Sequence, residues 1–401
     1  MENDFYNINL DIDVKNKSIK SDVDLKYFSK TDNRKKVILY LFYNLNIEYI
    51  YGENVKSYSI LTEKVEWNPF TYSAQKVKIK LNKSVQKGES VNIKIKYNGV
   101  IDKKGVNRIE KEYVELGLYS NWFPLPEDIF KEALFKVNIS IDRGYKVVSR
   151  PGLKEKDGRY IIRQKEPFGD CTIIASKKLK IIKNTNDVRR MSVYYLKKDH
   201  KDVSQKANMY SEWLIDYFLN KFGSISKTRG NVVILPRKEW GGYSRPRLIV
   251  LSSSIVDEDE LKLFRNIAHE IGHFWWNNAE TTSWEDWLNE SFAEYSSLMG
   301  VRKKFGKRKF KELLKKYKNK NEDLPPIKEL DRDDNDAYMT LYCKGPVLLN
   351  RLENMIGRDK FEKLLQKQHN DNISSTKQFL KILSEISNKK ITNKFNKLLE
   401  K

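Results

Sequence analysis

The feature that most restricts the fold of this chain is a change in the period of its apolar residues near residue 184. Before that point apolar side chains tend to alternate with polar ones in short runs, among them residues 6–14, 19–28, 37–41, 77–81, 91–97, 134–141, 160–164 and 172–176. Alternation places one face of a strand in a core and the other in water. Turn pairs such as Lys87-Gly88, Asn98-Gly99 and Asp157-Gly158 separate the runs. Beyond residue 184 come strand-like runs at 191–196, 231–235 and 248–251, with a helical segment near 203–222. From 257 onward the apolar residues recur every three or four positions, which predicts helices over about 257–278, 284–304, 308–317, 336–356, 358–369, 375–386 and 390–400. The expected architecture is a multidomain α+β chain. An antiparallel β-sandwich covers residues 1–183, and a mostly helical domain with a small sheet at its start covers 184–401.

A length of 401 residues leaves room for two separate cores. Lys and Arg number 76 against 54 for Asp and Glu, a net charge of +22 that raises the question of a polyanionic partner. The cations are scattered among Asn, Ile and Tyr along the whole chain, so a solvated lysine-rich surface is expected and no nucleic acid. The densest basic run, 302–316, reads as the outer faces of two helices meeting at a break near Gly306. Cys171 and Cys343 are too few for a disulfide framework or a cysteine metal cage, and they suit a reducing compartment. The opening residues 1–6 are acidic and polar rather than basic and then apolar, and no run of 18 apolar residues occurs. The expectation is a cytoplasmic protein without a membrane span.

Residues 269–273 read His-Glu-Ile-Gly-His. On a helix, positions four apart share a face one turn apart, so His269 and His273 can reach one ion. A catalytic zinc takes three protein ligands and keeps a fourth position for water. Glu290 is the candidate third ligand, on the next helix, whose start is marked by Ser283 as N-cap and by Glu285 and Asp286. A hinge at 277–282 lets that helix fold back on the first. Glu270, beside the first histidine, has the chemistry of a general base toward a zinc-bound water. His200 and His369 are isolated and read as ordinary surface or helix residues.

These motifs carry a resemblance. The segments HEIGHFWW (269–276), WLNESFAEY (287–295) and YCKG (342–345) resemble the gluzincin aminopeptidases, the aminopeptidase N and leukotriene hydrolase family. The opening strand at 6–13 and the Trp-Phe-Pro segment at 122–124 fit that family's N-terminal β-domain. The resemblance implies a thermolysin-like zinc peptidase domain, in a short form without the family's large C-terminal helical domain. It implies one Zn2+ ion, a peptide substrate, and Tyr342 as the phenol that stabilises the oxyanion, with Tyr338 one turn earlier as the competitor. Sixteen residues separate His273 from Glu290, a shorter spacing than the family's usual one, whereas Glu294 as ligand would make the gap twenty. Glu294 is better placed to accept a hydrogen bond from a ligand histidine, with Asp286 a rival for that role. The family's substrate-aligning loop corresponds to Gly241, Gly242, Tyr243 and Ser244. Ser244 stands where the family has a glutamate for the substrate's free amine, and Glu115 or Glu239 could supply that charge instead. Aminopeptidase action leads, followed by an endopeptidase indifferent to the amine and then by a catalytically silent peptide-binding protein.

Overall fold

The computed structural model describes residues 2–65, 74–102, 105–128, 131–183, 191–225, 228–239, 241–257, 259–321 and 323–401. They divide into two compact units, Met1–Lys180 and Ile181–Lys401. The boundary expected after residue 183 adjoins residues 184–190, which lie outside the described set.

The first unit is built of strands. A seven-stranded sheet runs, edge to edge, through Leu153–Lys156, Arg159–Arg163, Ala133–Ile141, Asp4–Asp13, Ser18–Phe28, Ser90–Val100 and Leu45–Tyr51. All its pairings are antiparallel except that of Asp4–Asp13 with Ala133–Ile141, which lie side by side in parallel. Tyr6, Ile8, Leu10 and Ile12 point inward and their neighbours outward, the strict alternation seen in the sequence. A four-stranded sheet of Val55–Val65, Ala74–Val85, Arg34–Phe42 and Leu125–Pro126 shares one apolar cluster with it. Tyr6 and Tyr97 donate their hydroxyls to Pro124 O and Trp122 O at 2.8 Å, which pins the 122–124 segment into that core.

The second unit opens on a sheet with parallel strands Met191–Tyr195, Gly230–Leu235 and Leu248–Ser252, closed at one edge by the short antiparallel strand Gly242–Arg245. That edge strand was not expected. Four residues between Gly241 and Pro246 are too few to display a period of two. The helices are α1 (Lys201–Phe222), α2 (Glu260–Gly272), α3 (Trp287–Lys304), α4 (Gly306–Asn319), α5 (Ala337–Met339), α6 (Gly345–Ile356), α7 (Arg358–Asn370), α8 (Thr376–Ile386) and α9 (Lys389–Leu399). The helices pack into a core centred on α3, whose residues from Trp287 to Val301 are buried almost without interruption. None of the described helices is long and apolar enough to cross a membrane.

Two departures from the expected helices matter for the site. α2 stops at Gly272 rather than near 278. The indoles of Trp275 and Trp276 are buried, and each finds an acceptor for its N–H, in Gly223 O at 3.0 Å and Ser296 Oγ at 2.8 Å. A continued helix would not hold both indoles on those acceptors. Second, α5 and α6 are joined through a π-helical turn, Thr340–Lys344. Pro346 has no N–H to offer Tyr342 O, and Gly345 N–H bonds Thr340 O, five residues back. Leu341 O, released by that shift, takes the Ser291 hydroxyl from α3 at 2.7 Å.

Candidate metal centre and active site

α2 presents His269, Glu270 and, at its C-terminal cap, His273, whose N–H still bonds His269 O at 3.3 Å. The helical one-turn spacing therefore survives where the helix ends. The loop back to α3 is closed by Asn289, which donates to Ala279 O at 3.0 Å and accepts from Ala279 N–H at 3.1 Å. Glu290, the next residue, is thereby carried to the histidines across the short connection.

His269 Nδ1 meets Glu294 Oε2 at 3.0 Å, and His273 Nδ1 meets Trp276 O at 3.1 Å. Both partners are acceptors, so each neutral imidazole carries its proton on Nδ1 and turns the Nε2 lone pair inward. The two Nε2 atoms stand 3.2 Å apart, and Glu290 Oε2 lies 3.3 Å from one and 3.5 Å from the other. Three lone pairs converge and repel until positive charge enters among them. Donors about 2.0–2.1 Å from a tetrahedral zinc lie roughly 3.4 Å from one another, so this triangle has the size and donor chemistry of a zinc site. Among the described residues no other such group of His, Cys, Asp or Glu occurs.

Ionisation reflects the same demand for positive charge. Burial presses the His269 imidazole downward, yet Glu290 and Glu294 lift it to about 10. His273 is also raised, Glu290 outweighing burial. Burial opposes the Glu290 charge, but the two imidazoles hold its carboxyl well below the usual carboxylate range. Glu270 is buried and its carboxyl is raised by desolvation.

Tyr342 rides on the π-helical turn. Its ring stacks on His269 with centroids 5.0 Å apart, which sets its phenol beside the Glu290 carboxylate. Burial and that carboxylate push the phenol well above its ordinary value, so it remains a proton donor. Tyr338 stacks on Tyr342 at 4.2 Å and is itself exposed. The edge strand comes close to the base: a β-carbon on Gly242 would lie 3.3 Å from Glu270 Oε1 and 2.8 Å from Leu251 Cδ2. Gly241 O accepts from Ser252 N–H at 2.9 Å, and Tyr243 and Ser244 pair with Val250 and Ile249. The Ser244 hydroxyl brings no charge to this strand.

Glu294 bonds His269, whereas Asp286 turns to Asn289 Nδ2 at 2.8 Å and Arg332 at 3.0 Å. Burial and Glu290 raise the Asp286 carboxyl to about 7. Glu115 lies in the first unit, buried on the strand Val114–Leu116, and accepts from Asn107 N–H at 3.0 Å. Glu239 is exposed and accepts from Lys238 N–H at 3.1 Å.

Three contributors escaped the sequence reading. Arg265 bonds Glu294 Oε1 at 2.7 Å, and Tyr317 donates to the same oxygen. Burial opposes the Glu294 charge, but Arg265, His269 and Tyr317 hold the carboxyl at about 2. Arg265, His269 and His273 repeat at intervals of four, a signal that could have drawn Arg265 into the set. Lys344 donates to Leu324 O at 2.8 Å and Pro325 O at 2.9 Å, tying the loop before α5 to the π-helical turn.

Comparison with known proteins agrees with this geometry. Residues 238–398 match the peptidase family M1 domain. Glutamyl aminopeptidase of Bos taurus is 24% identical over 305 residues, 66% of this chain and 31% of that protein. Leucine aminopeptidase 2 of Emericella nidulans is 32% identical over 151 residues, 34% of this chain and 24% of that protein. The chain thus spans about a third or less of the length of these curated relatives. Among solved structures, a mutant two-domain M1 zinc metallopeptidase bound to L-tryptophan aligns over 100% of this chain and 95% of its own, with TM-score 0.73 at 15% identity. A mutant M1 zinc metallopeptidase from Deinococcus radiodurans, bound to a Tyr-Ser-Ala substrate, covers 99% and 94% with TM-score 0.73, also at 15% identity. Residues 238–398 are therefore a peptidase family M1 domain, carried in a chain with the two-domain fold of the M1 zinc metallopeptidases.

Proposed function

We propose that this chain is a zinc-dependent peptidase that removes residues from the N-terminus of peptides. The observation that carries the reading is the triangle of His269 Nε2, His273 Nε2 and Glu290 Oε2, with Glu270 and Tyr342 on its border. Zinc bound there would polarise the scissile carbonyl and lower the pKa of water. Glu270, made more basic by burial, takes a proton from the attacking water and passes it to the departing amine. Tyr342, held neutral, donates to the carbonyl oxygen as negative charge develops there. Gly242 lets the strand approach Glu270, and that strand stands last in its sheet, a position beside which a peptide can extend. Glu294 fixes the tautomer and tilt of His269.

The aminopeptidase form rests on the relatives named for that activity. Ser244 favours a second reading, in which cleavage ignores the free amine, because a hydroxyl supplies no counter-charge to an ammonium. Cys171 and Cys343 are both free and buried, which suits a reducing, cytoplasmic setting. The test compares a peptide with its N-acetylated twin by mass spectrometry, with Glu270→Gln as control. Stepwise loss of N-terminal residues from the free peptide alone is expected. Internal cuts in both would turn the reading to an endopeptidase, and products equal to those of the Glu270→Gln control would remove catalysis.

A further inference from the structure

We propose that Arg265 and Tyr317 are positioning residues that set how tightly this chain holds zinc, acting through Glu294 on His269. The proposal rests on His269 being a metal ligand and needs no assumption about the substrate. Arg265 lies one turn before His269 on α2 and donates to Glu294 Oε1 at 2.7 Å. Tyr317 reaches the same oxygen from α4, bonds the Arg265 guanidinium, and has that guanidinium 5.5 Å above its ring. Glu294 Oε2 is left to His269 Nδ1 at 3.0 Å. A glutamate side chain turns about three bonds, so one hydrogen bond to an imidazole does not fix where its carboxylate sits. Here donors from two helices take one oxygen and leave the other a single place, against His269. The ring is then held with Nε2 aimed at Glu290 and His273. Glu294, His269 and Tyr317 are each less than a tenth exposed, so water does not substitute for a lost donor.

The molecule supplies its own control. Arg302, Glu353 and Tyr295 form a second Arg-Glu-Tyr cluster, with Arg302 Nη1 2.9 Å from Glu353 Oε1 and the Tyr295 hydroxyl on Glu353 Oε2. Among the described residues, no hydrogen bond or ion pair joins that cluster to His269, His273 or Glu290. The experiment measures zinc dissociation constants by chelator competition on the full chain, with melting temperatures of the zinc-free forms alongside. Arg265→Met is expected to weaken zinc binding about 10–100-fold, Tyr317→Phe by less, and Arg265→Lys to recover part of the loss. Arg302→Met is expected to lower the zinc-free melting temperature while leaving zinc affinity unchanged. Parental zinc affinity in both Arg265→Met and Tyr317→Phe would overturn the positioning role. Failure of the unmodified chain to bind zinc would overturn the metal centre itself, a separate result that removes both readings.

Discussion

Gly345→Ala tests whether the joint between α6 and α3 holds Tyr342 in place. A β-carbon at 345 would overlap Ser291 Oγ and Cβ and come within 3.6 Å of Ser291 Cα. Rotating the Ser291 hydroxyl away does not relieve the clash, because Cβ is fixed to the α3 backbone, so α6 must move. Overpacking of this kind costs about 1–3 kcal/mol. The Ser291 hydroxyl must also leave Leu341 O, which costs about 1 kcal/mol more. A total near 3 kcal/mol in a unit of this size corresponds to a fall of roughly 6–12 °C in its melting temperature. Tyr342 lies three residues away on the π-helical turn, and a displacement of about 1 Å at a catalytic group costs on the order of 100-fold in rate. Calorimetry and peptide hydrolysis on the same preparation supply both numbers, with zinc content measured to show that the ligands remain. The double variant Gly345→Ala with Ser291→Gly removes the obstructing atoms and should recover part of both losses, a coupling of about 0.5–3 kcal/mol between touching sites. A Gly345→Ala melting temperature within about 2 °C of the parent, or a double variant no better than the sum of the singles, would refute the steric argument.

Zinc removal should lower the melting temperature as well as the activity. Zinc at about 100 times its dissociation constant stabilises by about 2.7 kcal/mol, and calorimetry with and without chelator should show that difference in the parent and not in His273→Ala. Acid stability should depend on Glu353. Burial opposes its charge, but Arg302 and Tyr295 hold its carboxyl below the ordinary value. A depressed carboxyl contributes stability above the unfolded value of about 4.3, and that contribution is lost as the pH falls through the folded value. Urea midpoints measured against pH should therefore fall less steeply on the acid side in Glu353→Gln, and an unchanged acid slope would assign the loss to other groups.

Much of the fold is legible because it is written in local periods. From Tyr6 to Asp13 the first strand alternates apolar with polar residues, and its register sets Ile8 opposite Val23 and so an apolar residue opposite an apolar one. The end of α2 is not legible in that way. Residues 274–276 are aromatic enough to continue a helix by pattern, and what ends it is a pair of acceptors, Gly223 O and Ser296 Oγ, that lie far away in sequence. The π-helical turn is a mixed case. Pro346 announces that one carbonyl will lack its donor, but the sequence does not say that Ser291 will come from α3 to satisfy the neighbouring one.

The same division runs through the candidate site. His269 and His273 are one turn apart on α2, and Glu290 with Glu294 are one turn apart on α3, so helical spacing alone groups them in pairs. Joining the pairs depended on a short hairpin, and the structure shows what closes it, the two hydrogen bonds between Asn289 and Ala279. Nothing local could reveal Tyr317, because its partner Glu294 is on a different helix and its own helix reads as a lysine-rich surface segment with an apolar inner face. Arg265 shared the fourfold spacing of the histidines, yet an arginine on a helix is ordinarily a solvated charge and gains meaning only beside a buried carboxylate. Ligands must approach one ion in a fixed geometry, and helical repeat provides that geometry cheaply, so ligands leave a pattern. Groups that restrain a ligand need only reach it from any direction, so they leave none, and the Arg265–Glu294–Tyr317 cluster becomes visible only when α2, α3 and α4 are seen together.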